Sequence, residues 1–242
     1  MKTLAIVQAR MGSTRLPGKV LMSLGGKTVL ARVVQRLRRA VRLRKIVVAT
    51  SISKQDDAIV SECDRIQVQC FRGSEHDVLD RYYRCAETYA ATAMVRITAD
   101  CPVMDPQLVD LTIRRFLKNP CDYASNALVP SYPRGLDVEI FTMGALGRAW
   151  REARRPYERE HVTPYLYEHP ELFRLVSVKA DADYSQYRWT LDTVEDLELL
   201  RTIYSRFPNR DDFGWRDVLE LMQCEPQLAQ INAHVTQKAA HA

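Results

Sequence analysis

The sequence predicts an α/β fold, with a Rossmann-like, mostly parallel sheet and helices on both faces. Three observations lead to this prediction. Short apolar runs, which are typical of buried strands, alternate with segments whose apolar residues recur at helical spacing. The alternation continues through the first half of the chain, as in parallel sheets covered by helices. The 242 residues are 46% hydrophobic and 27% charged, which provides enough apolar material for a sizeable core.

The first half of the chain shows this alternation most clearly. The predicted strands are residues 3–7, 46–49, 68–71 and 93–97, and the predicted helices are residues 29–41, 55–64, 78–89 and 106–117. Ligands of such sheets lie beyond the carboxyl ends of the strands. We therefore expect the chemistry in the loops after the first, second and fourth strands.

The second half of the chain has a looser pattern. Its predicted strands are residues 122–126, 136–141 and 172–178, its predicted helices are 193–207 and 215–224, and a helical segment at 158–167 is started or kinked by Pro164. No repeat, low-complexity segment or linker separates the two halves. We expect one domain over residues 1–242, in which residues from about 120 to 180 form the side of the site that binds the second substrate.

Composition and charge argue against several classes of protein. The apolar run at residues 3–7 is too short for the core of a signal peptide or for a membrane span. The net charge is +5, but the basic residues are spread out, and the densest group, residues 36–45, lies at the end of a predicted helix. The cysteines lack metal-ligand spacing and are expected to be reduced thiols; they are Cys63, Cys70, Cys85, Cys101, Cys121 and Cys224. We expect a cytoplasmic protein that binds neither membranes nor nucleic acids.

The loop after the first strand, residues 8–19, has the composition of a polyphosphate site. Its charged and hydroxyl side chains are Arg10, Ser13, Thr14, Arg15 and Lys19. Gly12 and Gly18 permit tight turns whose backbone N–H groups can bind an anion, and the basic side chains neutralise its charge. The spacing is neither GxxxxGK[ST] nor GxGxxG, which argues against a P-loop NTPase and a Rossmann dehydrogenase. A solvated basic loop would explain the charges but not their position at the carboxyl end of a strand.

Two aspartates are candidate ligands for Mg²⁺. Asp100 follows the strand at 93–97, and Asp192 lies between an apolar segment and the helix at 193–207. One carboxylate from each would leave the other positions of Mg²⁺ to phosphate oxygens and water. The alternative interpretation of Asp192 is that it is part of the helix capping box that begins at Thr193.

Together these residues resemble the SpsF-type cytidylyltransferase family of spore coat polysaccharide biosynthesis. More distantly, the chain is similar to the synthetases of CMP-activated 3-deoxy-manno-octulosonate and CMP-sialic acid. The resemblance covers almost the whole chain, and the matching segments are QARMGSTRLPGKVL (8–21), RITADCPVMDP (96–106), YPRGLDVEIF (132–141), EREHVTPYLY (158–167) and YRWTLDTVEDLELL (187–200). The first segment is highly specific to the family. The last is less specific, because part of it is the ordinary sequence pattern of a helix N-cap. The implied fold is that of the nucleotide-diphospho-sugar transferases, which is GT-A-like.

The resemblance implies a binding site for CTP. The implied nucleotide-binding residues are Arg10, Met11, Gly12, Ser13, Thr14, Arg15, Lys19, Arg72 and Thr98, with Arg72 near the cytosine. The implied metal ligands are Asp100 and Asp192, and the implied catalytic residues are Arg10, Lys19 and Asp100. The sequence departs from the family at Ala99, where glycine is usual. The extra methyl group beside the metal-binding aspartate is either tolerated or keeps the ribose from approaching the backbone closely.

The implied acceptor-binding residues are Arg134, Asp137, Glu139, His161 and Tyr165. Asp137 and Glu139 alternate along a predicted strand and would share one face, where two carboxylates could orient sugar hydroxyls or bind a second cation. Arg134 could pair with a carboxylate of the substrate. His161 is a general base, a hydroxyl-binding residue or a hydrogen-bonded residue on a helix face.

We therefore expect an enzyme that transfers CMP from CTP to an acidic sugar, such as a nonulosonate, and releases pyrophosphate, for surface polysaccharide or glycan biosynthesis. Two alternatives stay open: a metal-dependent glycosyltransferase that uses a sugar nucleotide, and a non-catalytic nucleotide-binding protein. The triphosphate-type loop argues against the first, and the joint presence of Lys19, Asp100 and Asp192 argues against the second. A homodimer is compatible with the resemblance, because related enzymes are often dimers. The sequence does not identify the acceptor sugar.

Overall fold

A computed structural model describes residues 2–208 and 210–237, and within these ranges seven strands form one sheet and two more form a short hairpin. The strands are Thr3–Gln8 (β1), Ser23–Leu24 (β2), Lys27–Thr28 (β3), Lys45–Ser51 (β4), Gln69–Gly73 (β5), Ala93–Thr98 (β6), Tyr123–Ser125 (β7), Glu139–Thr142 (β8) and Leu175–Ser177 (β9). The order across the sheet is β5-β4-β1-β6-β8-β7-β9, and β2 pairs with β3. Strands β5, β4, β1 and β6 are parallel, whereas β8 is antiparallel to both of its neighbours. The predicted mostly parallel sheet is confirmed.

Helices cover both faces of this sheet. They are Val29–Leu37 (α1), Asp57–Arg65 (α2), Val78–Thr88 (α3), Pro106–Lys118 (α4), Met143–Glu152 (α5), Pro156–His161 (α6), Pro164–Tyr167 (α7), Val194–Arg206 (α8) and Trp215–Cys224 (α9). Successive residues of a strand point to opposite faces. Ala5 and Val7 of β1 therefore pack in the core formed with α1, α4, α8 and α9, while Leu4 and Ile6 pack in the core formed with α3, α5 and α7.

Helix α1 is shorter than predicted. It ends at Leu37 instead of residue 41, because the carboxylate of Asp110 on α4 accepts hydrogen bonds from the backbone N–H groups of Val41 and Arg42, at 3.0 and 2.8 Å. Those two groups are thereby drawn away from the helical path.

Two elements of the second half differ from the prediction. Strand β8 begins at Glu139 instead of residue 136, because the amide of Asn126 takes the place of a neighbouring strand: it donates to the Leu136 carbonyl at 2.8 Å and accepts from the Val138 N–H at 2.7 Å. Helix α5 was not predicted, since its two glycines lower the helical signal. The hydroxyl of Thr142 caps it by accepting from the Ala145 N–H at 3.0 Å.

Within the described part of the chain, none of the helices has the length and apolar character needed to cross a bilayer.

Candidate active site

The loop after β1 is folded back on itself at the carboxyl edge of the sheet. The Met11 carbonyl accepts from the N–H groups of Ser13 and Gly18, at 2.9 and 3.0 Å. Gly18 adopts a left-handed φ of 68°, as a tight turn requires, whereas Gly12 lines a neighbouring cavity. The backbone therefore forms a compact turn at the position predicted for polyphosphate binding.

Asp56, which the sequence analysis did not single out, holds this loop to the end of β4. The buried carboxylate accepts from the Met11 N–H at 2.8 Å, from the Thr50 hydroxyl at 3.0 Å, and from the N–H and hydroxyl of Ser51 at 3.1 and 2.6 Å. Burial alone would raise the pKa of Asp56, but these hydrogen bonds outweigh it and lower the pKa. The sequence contains one indication of this role: Asp56 lies in the polar stretch after the second predicted strand, one of the loops in which functional residues were expected.

Lys19 joins the two predicted metal-binding aspartates. Its ammonium group donates to Asp100 Oδ2 at 2.5 Å, to Asp192 Oδ1 at 2.8 Å and to the Leu191 carbonyl at 2.8 Å. Burial would lower the pKa of Lys19, but the two carboxylates outweigh burial and raise it. The structure thus brings together three residues that are distant in sequence and that were each predicted to bind the nucleotide or its metal.

Backbone contacts explain why the two aspartates meet. The Leu191 N–H donates to the Asp100 carbonyl at 2.8 Å, so the loop after β6 and the segment before α8 are directly joined. That segment is anchored by the buried Trp189, whose backbone N–H donates to the Arg134 carbonyl at 2.7 Å. The approach requires glycine at position 135, because φ is 102° there and an added Cβ would lie 2.6 Å from the Trp189 carbonyl carbon.

The carboxylate of Asp192 is not used to cap α8. The capping box consists of Thr193 and Asp196, while Asp192 Oδ2 forms an ion pair with Arg15 at 2.9 Å and accepts a hydrogen bond from Arg188 at 2.7 Å. Burial would raise the pKa of Asp192, but Lys19 and the two arginines outweigh burial and lower it. The capping box therefore does not account for the carboxylate of Asp192, which is held by Lys19, Arg15 and Arg188. Arg188, which orients this carboxylate, is another residue that the sequence analysis missed.

The other predicted nucleotide-binding residues lie around this cluster with fewer contacts. Arg10 is half-exposed and pairs with Glu160 of α6 at 3.3 Å. Thr14 is exposed, and the Ser13 hydroxyl accepts from the Leu16 N–H at 3.4 Å. The hydroxyl of Thr98 lies 3.2 Å from the Cys101 sulfur, just below Asp100.

The structure bears on two further predictions about the nucleotide site, those for Ala99 and Arg72. The methyl group of Ala99 is buried in the hydrophobic core, so it does not crowd the cleft in the way the departure from glycine suggested. The guanidinium of Arg72 is already occupied at the edge of the sheet. It contacts Asp57 at 2.7 Å and donates to the carbonyls of Ser51 and Ser53, each at 2.9 Å.

The two predicted acceptor carboxylates lie in different environments. Asp137 precedes β8, is partly exposed, and lies 3.7 Å from the half-exposed guanidinium of Arg134. Burial raises the pKa of Asp137. Glu139 is buried; it pairs with Arg96 and accepts from the hydroxyls of Tyr123 and Thr163, both at 2.6 Å. The expectation that both carboxylates share one face of a strand is wrong, because only Glu139 belongs to the strand.

The structure places His161 and Tyr165 in different surroundings. His161 ends α6 and is followed by Val162 at φ 73° and ψ −52°, a γ-turn closed by a 2.9 Å hydrogen bond from the Thr163 N–H to the His161 carbonyl. Burial lowers the pKa of His161, so its imidazole is neutral at pH 7. Tyr165 packs against Phe173 and donates to Glu152 at 2.7 Å, away from the predicted nucleotide site.

The oxygen donors of the cluster are of the kind that a hard cation prefers. The carboxylates of Asp100 and Asp192 both reach the point that the Lys19 ammonium occupies, and carboxylate oxygens are preferred ligands of Mg²⁺. No group of three or more His, Cys, Asp or Glu side chains with metal-site geometry is found among the residues described. A cation held here would take its remaining ligands from phosphate oxygens and water.

Comparison with known proteins decides the family. The model of the cytidylyltransferase family matches residues 4–228, which is most of the chain. This chain belongs to the cytidylyltransferase family. It is therefore a CTP-dependent nucleotidyltransferase, and the match favours cytidylyl transfer over the glycosyltransferase alternative.

This cytidylyltransferase is similar to several known sequences and structures. It is 35% identical to the spore coat polysaccharide biosynthesis protein SpsF of Bacillus subtilis, over 93% of this chain and 96% of that protein. The 3-deoxy-manno-octulosonate cytidylyltransferase of Protochlamydia amoebophila is 33% identical over 52% of this chain and 50% of its own length. A solved cytidylyltransferase from Leptospira borgpetersenii has a TM-score of 0.92 and 36% identity, with 99% of both chains covered. The predicted nucleotide-diphospho-sugar transferase fold is confirmed.

Proposed function

We propose that this cytidylyltransferase transfers CMP from CTP to an acidic sugar and releases pyrophosphate, with Mg²⁺ held by Asp100 and Asp192. The observation that carries the proposal is the convergence of Lys19, Asp100 and Asp192 beside the folded loop after β1. This arrangement combines cations for phosphate oxygens with carboxylates for a metal, as transfer from a nucleoside triphosphate needs.

The residues of the chain have distinct parts in the proposed reaction. The loop binds the triphosphate, and Arg10, Arg15 and Lys19 balance the charge that develops on the departing pyrophosphate. Mg²⁺, when bound, would neutralise phosphate charge and favour attack at the α-phosphorus. No covalent enzyme intermediate is needed, so positioning and charge supply most of the acceleration.

The acceptor completes a direct, in-line displacement. A sugar hydroxyl oxygen forms a bond to the α-phosphorus, the bond from that phosphorus to the pyrophosphate oxygen breaks, and the hydroxyl proton goes to a base. His161, which is neutral at pH 7, and Asp137, whose pKa is raised, are the candidate bases. Arg134 is half-exposed and is available to a substrate carboxylate. The names of the two relatives support a polysaccharide role and an acidic sugar acceptor.

The decisive experiment measures pyrophosphate release. The protein is incubated with Mg²⁺, each of the four nucleoside triphosphates and a panel of acidic and neutral sugars. We expect release with CTP and an acidic sugar, and its loss in Asp192→Asn. Asp64→Asn, which alters an exposed aspartate on α2, is the matched control and should keep full turnover. Release of a nucleoside diphosphate from a sugar nucleotide, or full turnover by Asp192→Asn, would contradict the proposal.

A further inference from the structure

The guanidinium of Arg188 is held by three other side chains of this fold. Its Nη2 atom donates to Asp192 Oδ2 at 2.7 Å and to Asp196 Oδ2 at 3.0 Å, and its Nε atom donates to Asp196 Oδ1 at 2.9 Å. The third nitrogen, Nη1, donates to Gln237 Oε1 at 2.6 Å. The side chain is 10% exposed. Because a guanidinium is a rigid planar fork, contacts at all three nitrogens fix its orientation.

Asp196, which is fully buried on α8, connects this arginine to the backbone at Asp192. Its Oδ2 atom also accepts from the Asp192 N–H, at 2.8 Å. The buried amide of Asn232 donates to Asp196 Oδ1 at 2.9 Å and to the Arg188 carbonyl at 3.0 Å. Asn232 follows α9, so the described end of the chain is part of the network that fixes Arg188.

Three cationic side chains contact the carboxylate of Asp192, and they differ in what else holds them. Lys19 contacts Oδ1 at 2.8 Å, whereas Arg15 and Arg188 contact Oδ2 at 2.9 and 2.7 Å. Lys19 and Arg15 belong to the loop that is proposed to bind the triphosphate. Arg188 belongs to the segment before α8 and is fixed there by Asp196. Bound phosphate oxygens would therefore compete with Asp192 for Lys19 and Arg15, but not for Arg188.

The geometry of Asp192 favours one of its two oxygens as a metal ligand. Oδ1 contacts the Lys19 ammonium, which Asp100 Oδ2 also contacts, at 2.5 Å. Oδ2 contacts Arg188 instead. In metal sites of proteins, the ligating carboxylates are themselves hydrogen-bonded by groups behind them, and the loss of such a group weakens metal binding. Arg188 has the position and the charge of such a group.

We propose that Arg188 is a positioning residue for the metal. It keeps Asp192 Oδ2 when the cations of the loop turn to the triphosphate, so that Oδ1 is presented to Mg²⁺. Asn232 and Gln237 keep Arg188 in place. The described end of the chain is then required for metal binding, although neither of these two side chains is proposed to contact a substrate. The inference rests on the proposed function only in taking CTP as the nucleotide and Asp192 as a metal ligand.

The test measures the affinity for labelled CTP by equilibrium dialysis, with and without Mg²⁺ and with no acceptor. The ratio of the two affinities reports the part of CTP binding that depends on the metal. Wild-type protein is expected to bind CTP more tightly with Mg²⁺, and Arg188→Lys is expected to reduce this ratio by about 10–100-fold. Lysine keeps the charge, but its ammonium cannot reproduce the fork between Asp192 and Asp196. CTP affinity without Mg²⁺ should be unchanged, since Arg188 is not proposed to contact the nucleotide.

Two further variants identify the kind of role that Arg188 has. Lys19→Met removes a cation proposed to contact the phosphates, so it should weaken CTP binding both with and without Mg²⁺. Arg201→Lys alters an exposed arginine on α8 and should leave both affinities unchanged. A purely structural Arg188 would instead lower the Tm in Arg188→Lys and leave the affinity ratio as in the wild type.

Gln237→Ala keeps the test decisive if Arg188→Lys does not fold. Gln237 is exposed, so its replacement should not disturb the core, and the loss of its hydrogen bond should reduce the ratio by about 2–10-fold. The proposal is overturned if every variant of this pair that folds keeps the wild-type ratio, or weakens CTP binding equally with and without Mg²⁺.

Asp192→Asn separates this inference from the proposed function. If Asp192→Asn keeps the wild-type ratio, or if Mg²⁺ does not strengthen CTP binding by the wild-type protein, the proposed metal site is contradicted and the inference falls with it. If Asp192→Asn loses the ratio while Arg188→Lys keeps it, the inference alone is contradicted. A protein that shows the Arg188-dependent ratio but releases no pyrophosphate with any acceptor would contradict the proposed function alone.

Discussion

Two clusters of oppositely charged side chains in this fold differ in how many lone pairs their carboxylates leave free for a ligand. In the cleft, Lys19 pairs with Asp100 and Asp192; in the interior, Arg96 of β6 pairs with Glu139 of β8. Their exposure is similar: 11% for Lys19 and 22% for Asp100, against 15% for Arg96 and 8% for Glu139. Burial alone therefore does not distinguish the proposed catalytic cluster from a cluster that only stabilises the fold.

The remaining lone pairs distinguish Asp100 from Glu139. Both oxygens of Glu139 are used by protein groups, one by Arg96 and the other by the hydroxyls of Tyr123 and Thr163. Among the described residues, Asp100 Oδ1 has only a weak contact with the Cys101 sulfur, at 3.6 Å. Asp100 therefore keeps an oxygen that can accept a ligand, whereas both oxygens of Glu139, like those of Asp192, are held by protein groups.

The largest effect is expected from Lys19→Met. The change removes the cation shared by the two aspartates and by the proposed phosphates, and kcat/KM for pyrophosphate release should fall by about 10³-fold. Circular dichroism should show that the fold is kept. Lys118→Met, on an exposed residue at the end of α4, is the control. A loss of less than tenfold would mean that the cleft cluster is structural, like the interior one.

Glu139→Gln tests the interior cluster. It leaves the buried guanidinium of Arg96 without its charge partner, and the free energy of unfolding should fall by about 3–5 kcal/mol. Urea denaturation measures this change. The double variant Arg96→Met/Glu139→Leu replaces the pair by apolar side chains and should recover at least half of the loss. If the double variant is no more stable than Glu139→Gln, the unpaired charge of Arg96 is not the cause of the lost stability.

Asp56→Asn should have a smaller effect that depends on pH. Asparagine can accept fewer of the four hydrogen bonds, so the free energy of unfolding at pH 7 should fall by about 1–3 kcal/mol. The folded-state pKa of Asp56 is lowered, so its contribution is present above the unfolded pKa of about 3.9 and is lost as pH falls through the folded value. The difference between wild type and Asp56→Asn should therefore shrink below about pH 3.9. A difference that is constant with pH would exclude the carboxylate charge as its source.

Much of the fold could be predicted because it depends on local patterns. The apolar runs around Ile6 and Val95 and the helical periodicity between them specify a parallel α/β sheet without knowledge of the contacts. Lys19 and Asp100 could be placed for the same reason, since each follows a strand and all these strands end at one edge of the sheet.

What the sequence could not reveal depends on contacts between distant segments. The side-chain amide of Asn126 bonds the backbone before β8, so the strand begins later than predicted. The hydroxyls of Tyr123 and Thr163 donate to Glu139. None of these contacts has a sequence signature. Arg81 lies on a predicted helix, and the sequence does not show that the fold buries it completely. Nor does it show that the described residues offer no hydrogen-bond acceptor to its Nε, Nη1 and Nη2 atoms.

The hydrogen bond between the Leu191 N–H and the Asp100 carbonyl also has a consequence for the synthesis of this protein on the ribosome. The neighbouring contact from Thr190 to the same carbonyl spans 90 residues of sequence, so the junction closes late in translation. A growing chain can complete β1, its loop and β6 long before Asp192 leaves the ribosome. We expect cytidylyl transfer to begin only after that closure, which requires that all seven strands of the large sheet have been synthesised.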